Sequence, residues 1–280
     1  MARHTPPPPV DVEELFPELI PYRRETVRLH PRTGTPSCRE SSVGGPLLWP
    51  AEEPWPVCEE DGQPLVPVAQ LFRADLPDTA GVAYPEGCDL LQVLWCALLH
   101  KDTHWPESPH VRWRDSAAVG AVLPTPVPPA GALSGNVPQP CAVHPETVAE
   151  YAAWNLPQEL FDRLDARFLA LEEATGVSYE YHLAEAPGIK AGGWPGWCQD
   201  PRWPDCRGCR RPMAHLMTVA AWEFDAESWR TWLPREDRGE DGPDRSAQNA
   251  TGLGLGGGGG VYLFECPACP GRPVAHCYDR

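Results

Sequence analysis

Two stretches of this chain match without a gap at a fixed offset of 148 residues, and that register limits the folds open to it more than any other feature. Gly44, Gly45, Trp49, Trp55, Pro56, Cys58 and Pro64 fall on Gly192, Gly193, Trp197, Trp203, Pro204, Cys206 and Pro212. An apolar run follows each copy, with Leu65, Val68 and Leu71 aligned on Met213, Leu216 and Val219. Chance matches from composition would drift in spacing, whereas here the rare Trp and Cys keep register. The chain therefore reads as two similar loop–strand units in one pseudo-symmetric body, with repeat units at about 42–123 and 190–280. Each unit is too small and loop-rich to bury a core alone, so 11–280 is expected to be a single domain. The paired glycines suit a backbone that takes positive φ or approaches a neighbour closely. Trp49, Trp55, Trp194, Trp197 and Trp203 suit packing at the sheet edges, with a Trp-lined ligand groove as the alternative.

The apolar runs at 65–72 and 90–99 read as buried strands, with a third at 110–113. Residues 26–29, 213–222, 261–265 and 274–278 read as further strands. The Pro-rich stretch 124–140 reads as a linker. A helical region is expected at 145–176, its best segment placing Leu160, Phe161, Leu164, Phe168 and Leu171 on one face between Pro157 and Gly176. With 36 Pro and 25 Gly, helices should be few. Residues 1–10, MARHTPPPPV, predict a disordered, polyproline-prone tail. The expected class is α+β, with duplicated, pseudo-symmetric mixed sheets.

Four cysteines promise chemistry. Cys206-Arg-Gly-Cys209 and Cys266-Pro-Ala-Cys269 are two CxxC knuckles, each offering two thiolates from one tight turn, which is half of a tetrahedral zinc site. Four thiolates leave no open position, so one structural Zn2+ on Cys206, Cys209, Cys266 and Cys269 is expected, stapling the second repeat to the last strands. The loop between the knuckles is long, but closure entropy grows only slowly with length. Neither pair opens a helix as a redox dithiol does. Cys277 with His276 is the alternative that could replace one of these ligands. The first repeat keeps Cys58 but has Asp61 where Cys209 would fall, so that copy is expected not to bind metal.

The residues around both glycine pairs resemble the YwqG-like family of bacterial proteins. GGPLLWPAEEPWPVCEEDGQPLVPVAQLFRADLP looks like its opening signature, a GG-P turn before a strand, and CDLLQVLW at 88–95 fits its next strand. AGGWPGWCQDPR is similar to its later glycine turn, with Gln199 in the Gln place. The resemblance spans roughly residues 40–280. GLGLGGGGGVYLF lacks the Trp-Gly-Asp associated with the family before its last strand, and the knuckles belong to a subset. The resemblance implies a duplicated α+β fold and carries over no catalytic residue.

A net charge of −16 weighs against nucleic acid or an anionic membrane surface as a partner, since both repel an acidic protein. No stretch approaches the roughly 20 apolar residues of a membrane span. The opening lacks the apolar run of a secretory signal, and eleven cysteines in such a chain suit reduced thiols, so the expected location is the cytoplasm. His100, Asp102 and His104, with His110 nearby, lack the Glu of a zincin motif and read as solvated loop residues. His215 reads as a packed core histidine. The glycine run 256–260 lacks the Lys of a phosphate loop. The leading expectation is thus a non-enzymatic, zinc-binding protein-interaction module, a regulatory or immunity-type partner of another protein. The alternatives are an enzyme using a cleft between the repeats, near Gln70, Gln199, Asp200 and Arg202, and a zinc-knuckle nucleic-acid binder.

Overall fold

The computed structural model describes residues 2–77, 81–100, 109–225, 227–239, 242–255 and 259–279. Two six-stranded sheets dominate it. The first runs in the order β14 (Val274–Asp279), β13 (Gly260–Glu265), β10 (Ala214–Ala220), β9 (Lys190–Gly192), β1 (Arg23–Arg28) and β8 (Glu146–Tyr151). The second runs β2 (Arg32–Thr33), β7 (Cys141–Ala142), β3 (Ser42–Val43), β4 (Val66–Phe72), β5 (Leu90–Trp95) and β6 (His110–Arg114). A small ribbon pairs β11 (Arg238–Gly239) with β12 (Gly242–Pro243). The α-helices are α1 (Val12–Leu15), α2 (Gln158–Thr175), α3 (Tyr179–His182) and α4 (Trp229–Trp232). The α+β class holds, with sheets antiparallel in every described pairing rather than mixed. Neighbours such as β4 and β5 are joined without the crossover helix that parallel strands require.

The repeat is legible in the pairing itself. Ser42 and Val43 face Gln70 and Ala69, and Lys190 and Ala191 face Thr218 and Met217 in the same register. The strand bulges coincide too, between Pro67 and Ala69 in one copy and between His215 and Met217 in the other. The strand next to one edge of each sheet is exchanged between the two halves of the chain. β1 lies in the first sheet, where Val27 faces Ala191, and the chain then crosses into the second sheet as β2. β7 lies in the second sheet, where Cys141 faces Val43, and the chain then crosses into the first as β8.

One apolar cluster draws on both sheets, from Val27, Val68, Val93 and Trp95 to Ile189, Met217, Val219 and Leu263. Every residue of β5 and β13 is buried. That explains their largely apolar runs, since a strand covered on both faces has no solvent side to present. The polar Gln92 within β5 is buried with its amide bonded to Leu48 O and Gln70.

Helix α2 is narrower than the expected helical region. Leu160, Leu164 and Phe168 are its buried face, and Gly176 closes it in the left-handed conformation at φ 73°. Phe168 stacks on Tyr179 at 4.0 Å and meets the edge of Phe16 at 4.9 Å. Residues 146–151 are strand β8 instead of helix, because β1 offers Arg23–Arg28 as an antiparallel partner along their whole length.

The N-terminal segment is tied down from residue 3 onward. Arg3 Nε donates to Asp237 at 3.0 Å, and the Thr5 amide donates to Glu146 at 2.8 Å. Specific polar anchors override the disorder that its composition predicts. The Pro-rich stretch at 124–140 is likewise packed, with Trp95 Nε1 donating to Asn136 O at 2.7 Å and the Gly254 amide to Gly135 O at 2.8 Å. No helix among the described residues is long and apolar enough to cross a membrane.

Candidate metal centre

Residues 205–212 make a tight turn closed by a bridge between Asp205 and Pro212. Within it the Cys206 amide donates to Arg211 O at 2.8 Å and the Arg210 amide to Cys206 O at 2.8 Å. Arg210 takes a positive φ of 58° to complete the turn. The second knuckle begins where β13 ends, with Cys266 directly after Glu265, and the Cys266 amide donates to Pro273 O at 2.9 Å. Because β13 pairs with β10, which begins just after the first turn, the sheet register brings the two knuckles together.

The four sulfurs converge: all lie within 4.8 Å of one another. Cys206 Sγ is 3.8 Å from Cys269 Sγ, and Cys209 Sγ is 3.6 Å from Cys266 Sγ. A metal–sulfur bond near 2.3 Å gives a tetrahedral S···S edge of about 3.8 Å, so both spacings suit one ion at the centre. Trp197, Met213, Tyr262 and Phe264 wall the cluster, and Trp203 packs against them. Trp203 Nε1 donates to Met213 O at 2.7 Å, pinning the ring over the turn.

The electrostatics prepare thiolates. Backbone N–H groups of Cys209 and Gly208 lower the Cys206 thiol. The Arg211 backbone N–H, and next its guanidinium, lower Cys209 to about 6. Cys269 faces the other three sulfurs, and its thiol's hydrogen bonds to Cys209, Cys266 and Cys206 push it up to about 12. A divalent cation at the centre would replace that proton.

Cys277 stands apart, its thiol donating to Arg202 O at 3.0 Å. The residues considered for a cleft enzyme are not gathered. Gln70 is fully buried, accepting from the Leu48 amide at 2.7 Å and from Gln92 at 2.8 Å, whereas Gln199, Asp200 and Arg202 lie on the surface of the other repeat. His215 is a core histidine as expected. Its Nδ1 donates to Gly192 O at 3.0 Å, its Nε2 accepts from Thr218, and burial holds it down to about 3. Trp49 and Trp197 are buried, and Trp55 and Trp203 donate to equivalent carbonyls, Leu65 O and Met213 O. Trp194 stacks under Arg24, whose guanidinium carbon lies 3.3 Å from the ring centre. Asp102 and His104 lie outside the described residues, as does part of the glycine run, 256–258. His100 is a correction: its side chain is only 7% exposed and touches Cys58 and Cys96. The signal was a second Cys directly after an apolar strand, followed four residues later by a histidine.

A scan against protein-family models finds no match, and a comparison with curated proteins finds none either.

Proposed function

We propose that Cys206, Cys209, Cys266 and Cys269 hold one structural zinc ion, and that the chain serves as a non-catalytic interaction module for another protein in the cytoplasm. The convergence of four sulfurs at tetrahedral spacing carries the zinc reading. The ion fastens the turn before β10 to the turn after β13, at an edge of the molecule where the remaining packing is a small aromatic cluster. Four thiolates saturate the ion and leave no position for substrate, which favours a structural role. The net charge of −16 and the exposed acidic turn at Glu59, Glu60 and Asp61 favour a basic protein partner over nucleic acid. Kinship with the YwqG-like family belongs to the same proposal and rests on the two glycine turns and the strands that follow them.

The test is zinc content by mass spectrometry, with thermal melts before and after chelation. Bound zinc that Cys266→Ser reduces by one ion per chain is expected, with a fall in melting temperature of about 10 °C or more on chelation. An unchanged zinc content in Cys266→Ser would sink the structural site. The interaction role expects a stoichiometric partner recovered from source cells with the native protein and lost with Cys266→Ser. Equal recovery with both would separate the partner surface from the zinc clasp.

A further inference from the structure

A second constellation sits at the equivalent place in the first repeat. Residues 57–64 form the same turn as 205–212, with Val57 bridging Pro64 as Asp205 bridges Pro212. The Cys58 amide donates to Gln63 O at 2.8 Å, and the Gly62 amide returns to Cys58 O at 2.9 Å, copying the bonds of Cys206 and Arg210. Val93 faces Ala69 across β5 and β4 as Leu263 faces Met217 across β13 and β10. Cys96 therefore follows the end of β5 as Cys266 follows the end of β13. Asp61 occupies the place of Cys209, and His100 stands one residue beyond the place of Cys269.

These four residues each bring one ligand atom to within 4.8 Å of the others. His100 Nε2 is 3.3 Å from Cys58 Sγ, 3.2 Å from Cys96 Sγ and 4.0 Å from Asp61 Oδ2. A tetrahedral S···N edge is about 3.5 Å for metal–sulfur near 2.3 Å and metal–nitrogen near 2.0 Å, so the ring nitrogen stands at ligand spacing. The long imidazole offsets the extra residue of its loop. Its other nitrogen, Nδ1, lies 2.9 Å from Glu60 Oε2. A carboxylate thus stands beside Nδ1, on the side where metal-bound histidines take their outer-shell support, while Nε2 faces the two sulfurs. Leu47, Trp49, Leu65 and Leu94 wall the group, and Trp49, Leu65 and Leu94 stand where Trp197, Met213 and Phe264 stand around the cysteine clasp.

We propose that Cys58, Asp61, Cys96 and His100 form a second zinc site, so that each repeat closes on its own ion. With two thiolates in place of four, and with Asp61 partly exposed at its rim, this site holds its zinc more weakly and releases it first to a chelator. It does not depend on the cysteine clasp being filled.

The test is zinc per chain in the full-length protein, for wild type, His100→Ala and Cys266→Ser, with folding checked by circular dichroism. Two zinc ions are expected in wild type and one in each variant. One zinc in wild type, kept in His100→Ala and lost in Cys266→Ser, overturns the second site while sparing the clasp. One zinc lost only in His100→Ala supports the second site and removes the clasp. Asp61→Cys adds a thiolate without shortening the loop. After cobalt(II) loading of Cys266→Ser, adding Asp61→Cys should raise the thiolate charge-transfer band about 1.5-fold, from two sulfurs to three. An unchanged band in that folded double variant also overturns the proposal.

Discussion

Gly193 takes φ 72°, and a Cβ on it would stand 2.1 Å from Glu150 Oε1 and 2.6 Å from Thr26 Cβ. Glu150 cannot give way, since it is fully buried and holds Lys190 Nζ at 2.7 Å and the Ala186 amide at 2.8 Å. Gly193→Ala should therefore cost about 3 kcal/mol or more in urea unfolding, by strain and by disturbing a buried ion pair. Gly62→Ala shares the positive φ but meets open space, so it should cost only about 1 kcal/mol. A second residue-scale effect concerns pH. Burial, then the charge of Lys190, holds His215 neutral, with its folded value down to about 3 against 6.5 when free. Between those values the unfolded chain binds the proton and the folded chain does not, so stability rises with pH through that window. The stability from this group is full above pH 6.5 and falls below it by up to about 1.4 kcal/mol per pH unit. His215→Phe should flatten that part of a stability–pH curve measured by denaturant titration. An equal slope in wild type and variant would place the acid sensitivity elsewhere.

At the scale of elements, legibility followed how local the deciding contact was. The strands β4, β5, β10 and β13 announce themselves as apolar runs because both their faces are covered. Helix α2 announces itself through its periodic face and its terminal glycine. Strand β8 did not, since its conformation is set by β1, more than a hundred residues earlier in the chain. The ordered N-terminal segment depends on Asp237, Glu146 and Arg235, all distant in sequence. The cysteine knuckles were legible because each is a local turn carrying two ligands. The cluster at Cys58 was not, because only one half of it repeats the motif. Its other half, Cys96 and His100, becomes adjacent only once β5 pairs with β4.

For the whole molecule, the strand exchange decides what can fold alone. Each sheet takes one strand, β1 or β7, from the other half of the chain. Residues 124–280 without β1 would leave β9 unpaired on one side and β8 with no neighbour. Residues 1–123 without β7 would lose the strand joining β2 to β3. The two fragments expressed separately should each show an unfolded circular dichroism spectrum and recover the native one when mixed. A cooperatively melting 124–280 on its own would refute this coupling.

The same exchange sets a timetable during synthesis. Strand β1 leaves the ribosome well before both of its neighbours, β8 and β9, which lie more than a hundred residues later in the chain. At roughly 5–20 residues per second, Arg28 waits on the order of ten seconds or more for Lys190. For that interval it is a lone edge in a crowded cell, open to pairing with any passing chain. Its sequence, RRETVR, carries a charge at four of six positions, which keeps such a strand from sticking before its own partners arrive.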